Sequence, residues 1–351
     1  MVMPPAPERS FASDNFSGVH PRYLDAISAA NVGHAPAYGT DYLTRRAETM
    51  LHELFAAEVD VLFTFNGTGA NVVALGMILR PGDSVVCTNW SHINVDETGA
   101  PERILGAKLQ DVHREDAKLR PDDLHSAALA LGNVHHVQPR VVSLTQSTEL
   151  GTLYTVEEIR LLCEAAHAHG LLVHLDGARL ANAVAALGGG DETLRAMTFD
   201  AGVDVVSFGG TKNAMMGAEA VVIRSELAGG RGGLVRKSTT QLPSKQRYVA
   251  AQFVEALRDG LWLETAAHAN AMARLLFDSL ADLDELRLSP PAVNSLFPLL
   301  PAAAKKALQD WCFFWDWDPA VSQVRWMTSW DTTEEDIERF AAGVRQVLAS
   351  S

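Results

Sequence analysis

Short apolar runs recur along the first two-thirds of the chain, separated by longer stretches whose apolar positions return every three or four residues. Val61-Leu62-Phe63-Thr64-Phe65, Ser84–Thr88, Arg140–Thr145, Leu171–Leu175 and Val203–Phe208 read as buried strands. Between them, Tyr42–Ala57 and Val72–Leu79 read as helices. So does a segment opened by the capping pair Thr155 and Glu158, with Ile159, Leu162 and Ala166 at helical spacing and a stop at Gly170. Strands that are apolar throughout, alternating with helices, predict a mostly parallel sheet covered on both faces. The rhythm breaks near Gly229–Gly233. Two long helical stretches follow, Lys245–Arg258 and Glu264–Leu283, then strand-like Ala292–Leu300, Trp311–Trp315 and Val324–Thr328. A final helix opens on Thr332 with Glu335 and carries the stripe Ile337, Phe340, Val344 and Leu348. The expected organisation is α/β: a flexible arm over residues 1–10, a large mostly parallel-sheet domain over 11–235, and connecting helices with a smaller α+β domain over 236–351.

Composition narrows the class without changing this picture. Of 351 residues, 47% are hydrophobic and 21% charged, a mixture able to bury enough surface to fold. Lys+Arg 29 against Asp+Glu 43 leaves a net charge of −14, which argues against binding a phosphate backbone and so against nucleic acid. Cys87, Cys163 and Cys312 are far apart with no C-x-x-C, so neither a disulfide scaffold nor a thiolate zinc site is expected, and a reducing compartment fits. The Pro-rich opening lacks the apolar stretch of a signal peptide, and no run reaches the ~18 apolar residues of a membrane span. A soluble cytoplasmic protein that binds no membrane is expected.

Three segments carry chemistry. Asn66-Gly67-Thr68-Gly69-Ala70-Asn71 joins a strand to a helix and exposes backbone N–H groups suited to a phosphate, although it is neither G-x-G-x-x-G nor a P-loop. Read by itself, it is also what a tight turn with a capped helix looks like. His174-Leu175-Asp176-Gly177-Ala178-Arg179 sets Asp176 at the carboxyl end of a buried strand, where open α/β sheets bind ligands; such a carboxylate needs a cation or strong donor. Arg179 offers a planar fork to a substrate carboxylate, or else a structural ion pair. Ser207-Phe208-Gly209-Gly210-Thr211-Lys212-Asn213 places Lys212 after a strand end, where a rigidly held lysine can become an imine-forming nucleophile. In that order, phosphate cradle, strand-end aspartate and lysine meet the needs of pyridoxal 5′-phosphate. His167, His169, His174 and Asp176 are close in sequence but do not share one face, so no metal site is expected.

At these residues the sequence resembles the low-specificity L-threonine aldolases, pyridoxal-phosphate enzymes with the aspartate-aminotransferase-like fold (fold type I). The match spans roughly residues 11–345. It is carried by Ser13-Asp14-Asn15, Pro36-Ala37-Tyr38-Gly39, Phe65-Asn66-Gly67-Thr68, Ser91-His92 with Asp96–Glu102, and the Asp176 and Lys212 segments. The resemblance implies that Lys212 holds the cofactor as a Schiff base, that Asp176 pairs with its ring nitrogen, and that Gly67, Thr68 and Gly69 bind its phosphate. His92 stacks on the ring near the substrate hydroxyl. Ser13, Tyr38, Arg179 and Arg325 contact the amino-acid substrate, with Arg179 also beside the cofactor. His135 matches a second family histidine and competes with His92 for the role of base. The family's active site lies at a subunit interface, so Arg236 or Lys237 is expected to reach a neighbour's phosphate in a homotetramer built from dimers.

The implied reaction is retro-aldol cleavage of β-hydroxy-α-amino acids of the threonine, allo-threonine or phenylserine kind to glycine and an aldehyde. A related β-eliminating lyase is the alternative. Three departures bear on substrate preference: the bulky Arg236–Leu242 segment, Ala214 where glycine is usual after the lysine, and Trp90 two residues before His92.

Overall fold

Seven strands join into one sheet in the computed structural model, which describes residues 3–349. They are β1 (Val59–Thr64), β2 (Asp83–Thr88), β3 (Lys108–Val112), β4 (Gln138–Thr145), β5 (Leu172–Gly177), β6 (Val205–Gly209) and β7 (Glu219–Arg224), in the order β1-β7-β6-β5-β4-β2-β3. From β3 to β6 every neighbouring pair is parallel, and only β7 runs against both its neighbours. The middle strands are buried along almost their whole length, which is why they are apolar without alternation. The carboxyl ends of the parallel strands gather at one edge of the sheet, where this architecture holds ligands.

Two strands escaped the sequence pattern. β3, Lys-Leu-Gln-Asp-Val, is a sheet edge with a mostly polar face. β7 follows β6 after only a short 3₁₀ turn, because it returns antiparallel and needs no crossover helix.

The helix after β1 begins earlier than expected. Before it come α1 (Pro21–Ala29) and α2 (Tyr42–Phe55). Then α3 covers Gly67–Ile78, so the small-residue loop is the helix's own first turn, capped by the Asn66 side chain accepting the Gly69 N–H at 2.7 Å. Gly69 leaves room for the end of the Gln241 side chain, which a Cβ there would meet at 2.1 Å and displace. The helix at Arg247–Arg258 packs on α1 and α2, and Arg22 of α1 is ion-paired with its Glu255 at 2.6 Å.

The chain divides into two compact units, and their composition departs from the expected boundaries. The larger spans Val19–Trp262; the smaller takes both chain ends, up to Gly18 and from Leu263 onward. Residues 236–262 therefore belong with the sheet, held by the packing just described. The expected flexible arm is anchored over its described part. Glu8 and Arg9 donate backbone N–H bonds to Asp336 Oδ1 at 2.9 and 3.3 Å, and Trp311 Nε1 donates to the Pro4 carbonyl at 2.9 Å. Met1 and Val2 lie outside the described residues.

In the smaller unit β8 (Ser295–Leu296), β10 (Gln323–Met327) and β9 (Trp315–Asp318) form an antiparallel sheet in that order. The strand expected over 292–300 shrinks to two residues, because Pro298 and Pro301 cannot donate to a ladder. Trp311 ends the helix Ala302–Trp311, and the strand starts only at Trp315. The last helix, Glu334–Leu348, is capped one position later than expected, by Thr333 with Asp336. Its Phe340 stacks on Phe11 (4.2 Å between centroids) and meets Trp326 edge-on at 5.0 Å, closing an aromatic core.

Candidate active site

The carboxyl edge of the large sheet carries a small, partly open cavity. Its walls come from four strand ends: Gly67 and Asn71 after β1, His92 after β2, Thr145, Ser147 and Glu149 after β4, and Asp176, Ala178 and Arg179 after β5. Lys212, in the turn after β6, completes it. Of the expected residues, Gly67, His92, Asp176, Arg179 and Lys212 are thus brought together.

Asp176 is 3% exposed and held by two donors: the Ala178 N–H to Oδ1 at 3.0 Å and the Asn71 amide to Oδ2 at 2.8 Å. Two residues earlier on the same strand, His174 is fully buried between Ser143 Oγ at 2.9 Å and Ser207 Oγ at 3.0 Å. Burial lowers its pKa to about 4, so the imidazole is neutral and serves as a tie between β4, β5 and β6. His167, by contrast, pairs with Asp204 at 2.9 Å, and His169 caps the helix Val156–Ala168.

Lys212 is placed by its flanks. Glu219 of β7 accepts the Gly210 N–H at 2.8 Å, and Thr211 Oγ1 accepts the Ala218 N–H at 3.1 Å. Neither Gly209 nor Gly210 could carry a side chain, since a Cβ would lie 2.5 Å from the Ala178 and Ala218 carbonyl oxygens respectively.

His92 opens the short helix α4 (His92–Val95). Its Nδ1 lies 2.9 Å from Glu97 Oε1, and its backbone N–H donates to Glu149 Oε1 at 2.7 Å. Burial pulls the imidazole pKa down, but the hydrogen bond to Glu97 and the charges of Asp176 and Glu97 outweigh it, so the net direction is upward. The Asn71 amide, already bonded to Asp176, also donates to Glu97 Oε1 at 2.9 Å. One amide therefore joins the carboxylate under the cavity to the one behind His92. Burial raises the pKa of Glu97, and raises that of Glu149 to about 7 with the charge of Asp176 adding to the effect.

Glu97 and Glu149 are the residues that sequence reasoning missed. Glu97 stood in a quoted segment without a role, and Glu149 looked like an ordinary loop acid. No pattern in the sequence marks either one; their significance comes from burial.

Other expected residues lie elsewhere. His135 is exposed in the turn before β4, bonded through its backbone to Asn133. The eight residues of β4 span roughly 26 Å, and the cavity is at their far end, so His135 does not line the cavity of its own chain. Arg236 is turned into its own chain, donating to the Phe63 carbonyl at 3.2 Å and Gln246 Oε1 at 2.8 Å. The expected reach toward a neighbour is not its conformation here. Lys237 is exposed and sits over the Tyr38 ring at 5.3 Å. Tyr38 is itself 51% exposed and outside the cavity wall. In the smaller unit, Ser13 caps the turn Asp14–Phe16, and Arg325 lies 4.9 Å over Trp317 while donating to the Ala12 carbonyl at 3.3 Å.

The large-unit residues suit a phosphorylated ring that carries an aldehyde and a cationic nitrogen. At the start of α3 no atom lies within 4 Å of where a Gly67 Cβ would project, leaving room for an anion at the helix N-terminus. Asp176 offers the counter-charge for a ring nitrogen, and Lys212 the primary amine.

A family model described as Beta-eliminating lyase matches residues 10–302. A low specificity L-threonine aldolase of Pseudomonas sp. (strain NCIMB 10558) is 38% identical over 346 residues, 97% of this chain and 99% of that protein. A solved threonine aldolase of Leishmania major matches with a TM-score of 0.88 and 31% identity, covering 97% of this chain and 99% of that one. An aspartate aminotransferase of Rhodobacter sphaeroides, 17% identical, covers 99% of this chain and 94% of its own at a TM-score of 0.69, and shares the fold alone. The chain belongs to the beta-eliminating lyase family, and within it to the low-specificity L-threonine aldolases.

Proposed function

We propose that this chain is a pyridoxal-phosphate-dependent carbon–carbon lyase that cleaves L-threonine, L-allo-threonine and phenylserine-like amino acids to glycine and an aldehyde. The reading is carried by one observation: Lys212, Asp176 and His92 line a single cavity that also opens on the N-terminus of α3. When bound, the cofactor supplies a sink for the electrons released at Cα. Lys212 holds it covalently, Asp176 keeps its ring nitrogen protonated, and Gly67, Thr68 and Gly69 bind its phosphate. Arg179 takes the substrate carboxylate, with Ser13 and Arg325 as further carboxylate ligands and Tyr38 as a contact.

His92 removes the β-hydroxyl proton. With Nδ1 engaged by Glu97, Nε2 is the nitrogen that accepts it. Orienting the Cα substituents decides which bond breaks, and the fixed strand ends provide that orientation. The assembly proposed is a homotetramer built from dimers, with Lys237 or Arg236 near a neighbour's site. A cytoplasmic location is supported by Cys87, Cys163 and Cys312, all buried and in no disulfide. No helix among the described residues is long and apolar enough to cross a membrane.

The test is aldehyde release from L-threonine and from phenylserine by wild type and Lys212→Ala, alongside visible spectra. Aldehyde from wild type alone, with a protonated-imine band missing in the variant, is expected. Pyruvate in place of glycine would move the chain to β-elimination, and no band even with added cofactor would overturn the reading altogether.

A further inference from the structure

The proton that His92 takes from the hydroxyl leaves Cα still needing one, and the cavity holds a group suited to give it. Glu149 is half-buried as a residue, yet its Oε2 is closed to solvent and has no hydrogen-bond partner among the described residues. Its other oxygen is bound to the His92 backbone N–H at 2.7 Å, which fixes the carboxyl group against the acid–base histidine. A buried carboxyl oxygen without a donor is costly as an anion and cheap as a protonated acid. It also belongs to the wall that carries Lys212 and Asp176.

We infer that Glu149 is the acid that protonates Cα of the nascent glycine. This deepens the function proposed above and rests on it. The O–H bond of the β-hydroxyl breaks with its proton going to His92, and the Cα–Cβ bond opens as the aldehyde carbonyl forms. The Glu149 O–H bond then breaks as the Cα–H bond forms. Per turnover His92 gains one proton and Glu149 loses one, and the two re-equilibrate once the products leave.

The charges acting on Glu149 are those of Asp176 at the end of β5 and His92 of α4; Arg179 and Lys212 share its cavity wall, and the Cys87 thiol of β2 and the Tyr154 phenol lie close enough to feel its charge. Burial and the Asp176 charge raise the Glu149 pKa while its backbone hydrogen bonds and His92 lower it, with the net value at about 7. The acid form is therefore populated up to neutrality and lost above it.

The experiment is exchange of the glycine α-hydrogen for solvent deuterium, followed by proton NMR on holoenzyme from pH 5 to 9, for wild type, Glu149→Gln and Glu149→Asp. It needs only glycine, so it reads Cα protonation even if no β-hydroxy amino acid is cleaved. Glutamine keeps an acceptor for the His92 N–H but no titratable proton. Exchange is expected to fall on the order of 10²-fold, with loss of the limb near pH 7 and an unchanged dissociation constant for glycine. Infrared difference spectra should show an acid-form carboxyl band that titrates near pH 7 in wild type and is missing from Glu149→Gln. If the glutamine variant does not fold, Glu149→Asp should shift both that band and the exchange limb. Exchange within threefold of wild type with an unmoved pH profile, or no titrating carboxyl band, would reduce Glu149 to an acceptor for His92 and overturn the inference.

Discussion

The two sides of the cavity handle buried polarity in opposite ways. On the sheet side, His174 has both ring nitrogens bonded to serines and Asp176 has a donor on each oxygen. On the side of α4, Glu97 Oε2 and Glu149 Oε2 are both buried with no partner among the described residues. A satisfied network in a low-dielectric interior rigidifies, while an unsatisfied oxygen is where a proton is easily gained or lost. One strand edge thus holds a fixed electrostatic floor next to a wall that can change its protonation.

Breaking the floor should cost most. Asp176→Asn removes the counter-charge while keeping the shape, and turnover is expected to drop about 10³-fold; steady-state cleavage kinetics at saturating cofactor would check it. A drop under tenfold would mean the floor is not electrostatic.

The floor also has a pH signature. His174 titrates at about 4 in the folded state and at the ordinary 6.5 when unfolded. Between those values the unfolded chain binds a proton that the folded chain does not, so stability falls as pH falls from about 6.5 to about 4. The loss is roughly 1.4 kcal/mol per pH unit, about 3 kcal/mol in all. Urea melts of wild type and His174→Asn across that window should differ by this slope, and parallel curves would refute it.

Crowding at the entry to α3 is expected to matter somewhat less. Gly69→Ala drives a methyl into Gln241 and should destabilise by about 1–3 kcal/mol. The double variant with Gln241→Ala should recover most of that in thermal melts; no recovery would locate the cost elsewhere.

The titrating wall gives the smallest effect when only Glu97 changes. Glu97→Gln leaves His92 a partner but removes the charge that fixes its tautomer, for a loss of about tenfold in kcat. The acid limb of the pH–rate profile should move down by part of a unit, because the charge that raises the His92 pKa is gone. An unmoved limb would separate Glu97 from the histidine's titration.

How much of this was legible in the sequence follows from which interactions are local. Asp176 and Lys212 sit at strand ends announced by apolar runs and followed by small residues, and Asn66 caps the next helix within three positions. Glu149 and Asn71 acquire their roles from partners tens of residues away, His92 and Asp176 among them, and no spacing rule reveals that. β7 was invisible for the same reason: its pairing partners, β1 and β6, lie on both sides of it, and no helix sets it apart. His135 shows the converse: matched to a family histidine by sequence, it is carried by the length of β4 to the end of the sheet away from its own chain's cavity.

The assignment of residues 3–18 to the same unit as the C-terminal helix has a bearing on synthesis. Phe11 waits for Phe340, and Glu8 and Arg9 wait for Asp336, until those distant residues have been synthesised. About 245 residues separate Gly18 from Leu263, which at 5–20 residues per second is roughly 12–50 s during which the first segment emerges with nothing to join. This segment is thus made well before the residues it packs on, so a substitution at Phe11 bears on a late-joining contact of the smaller unit rather than on the sheet.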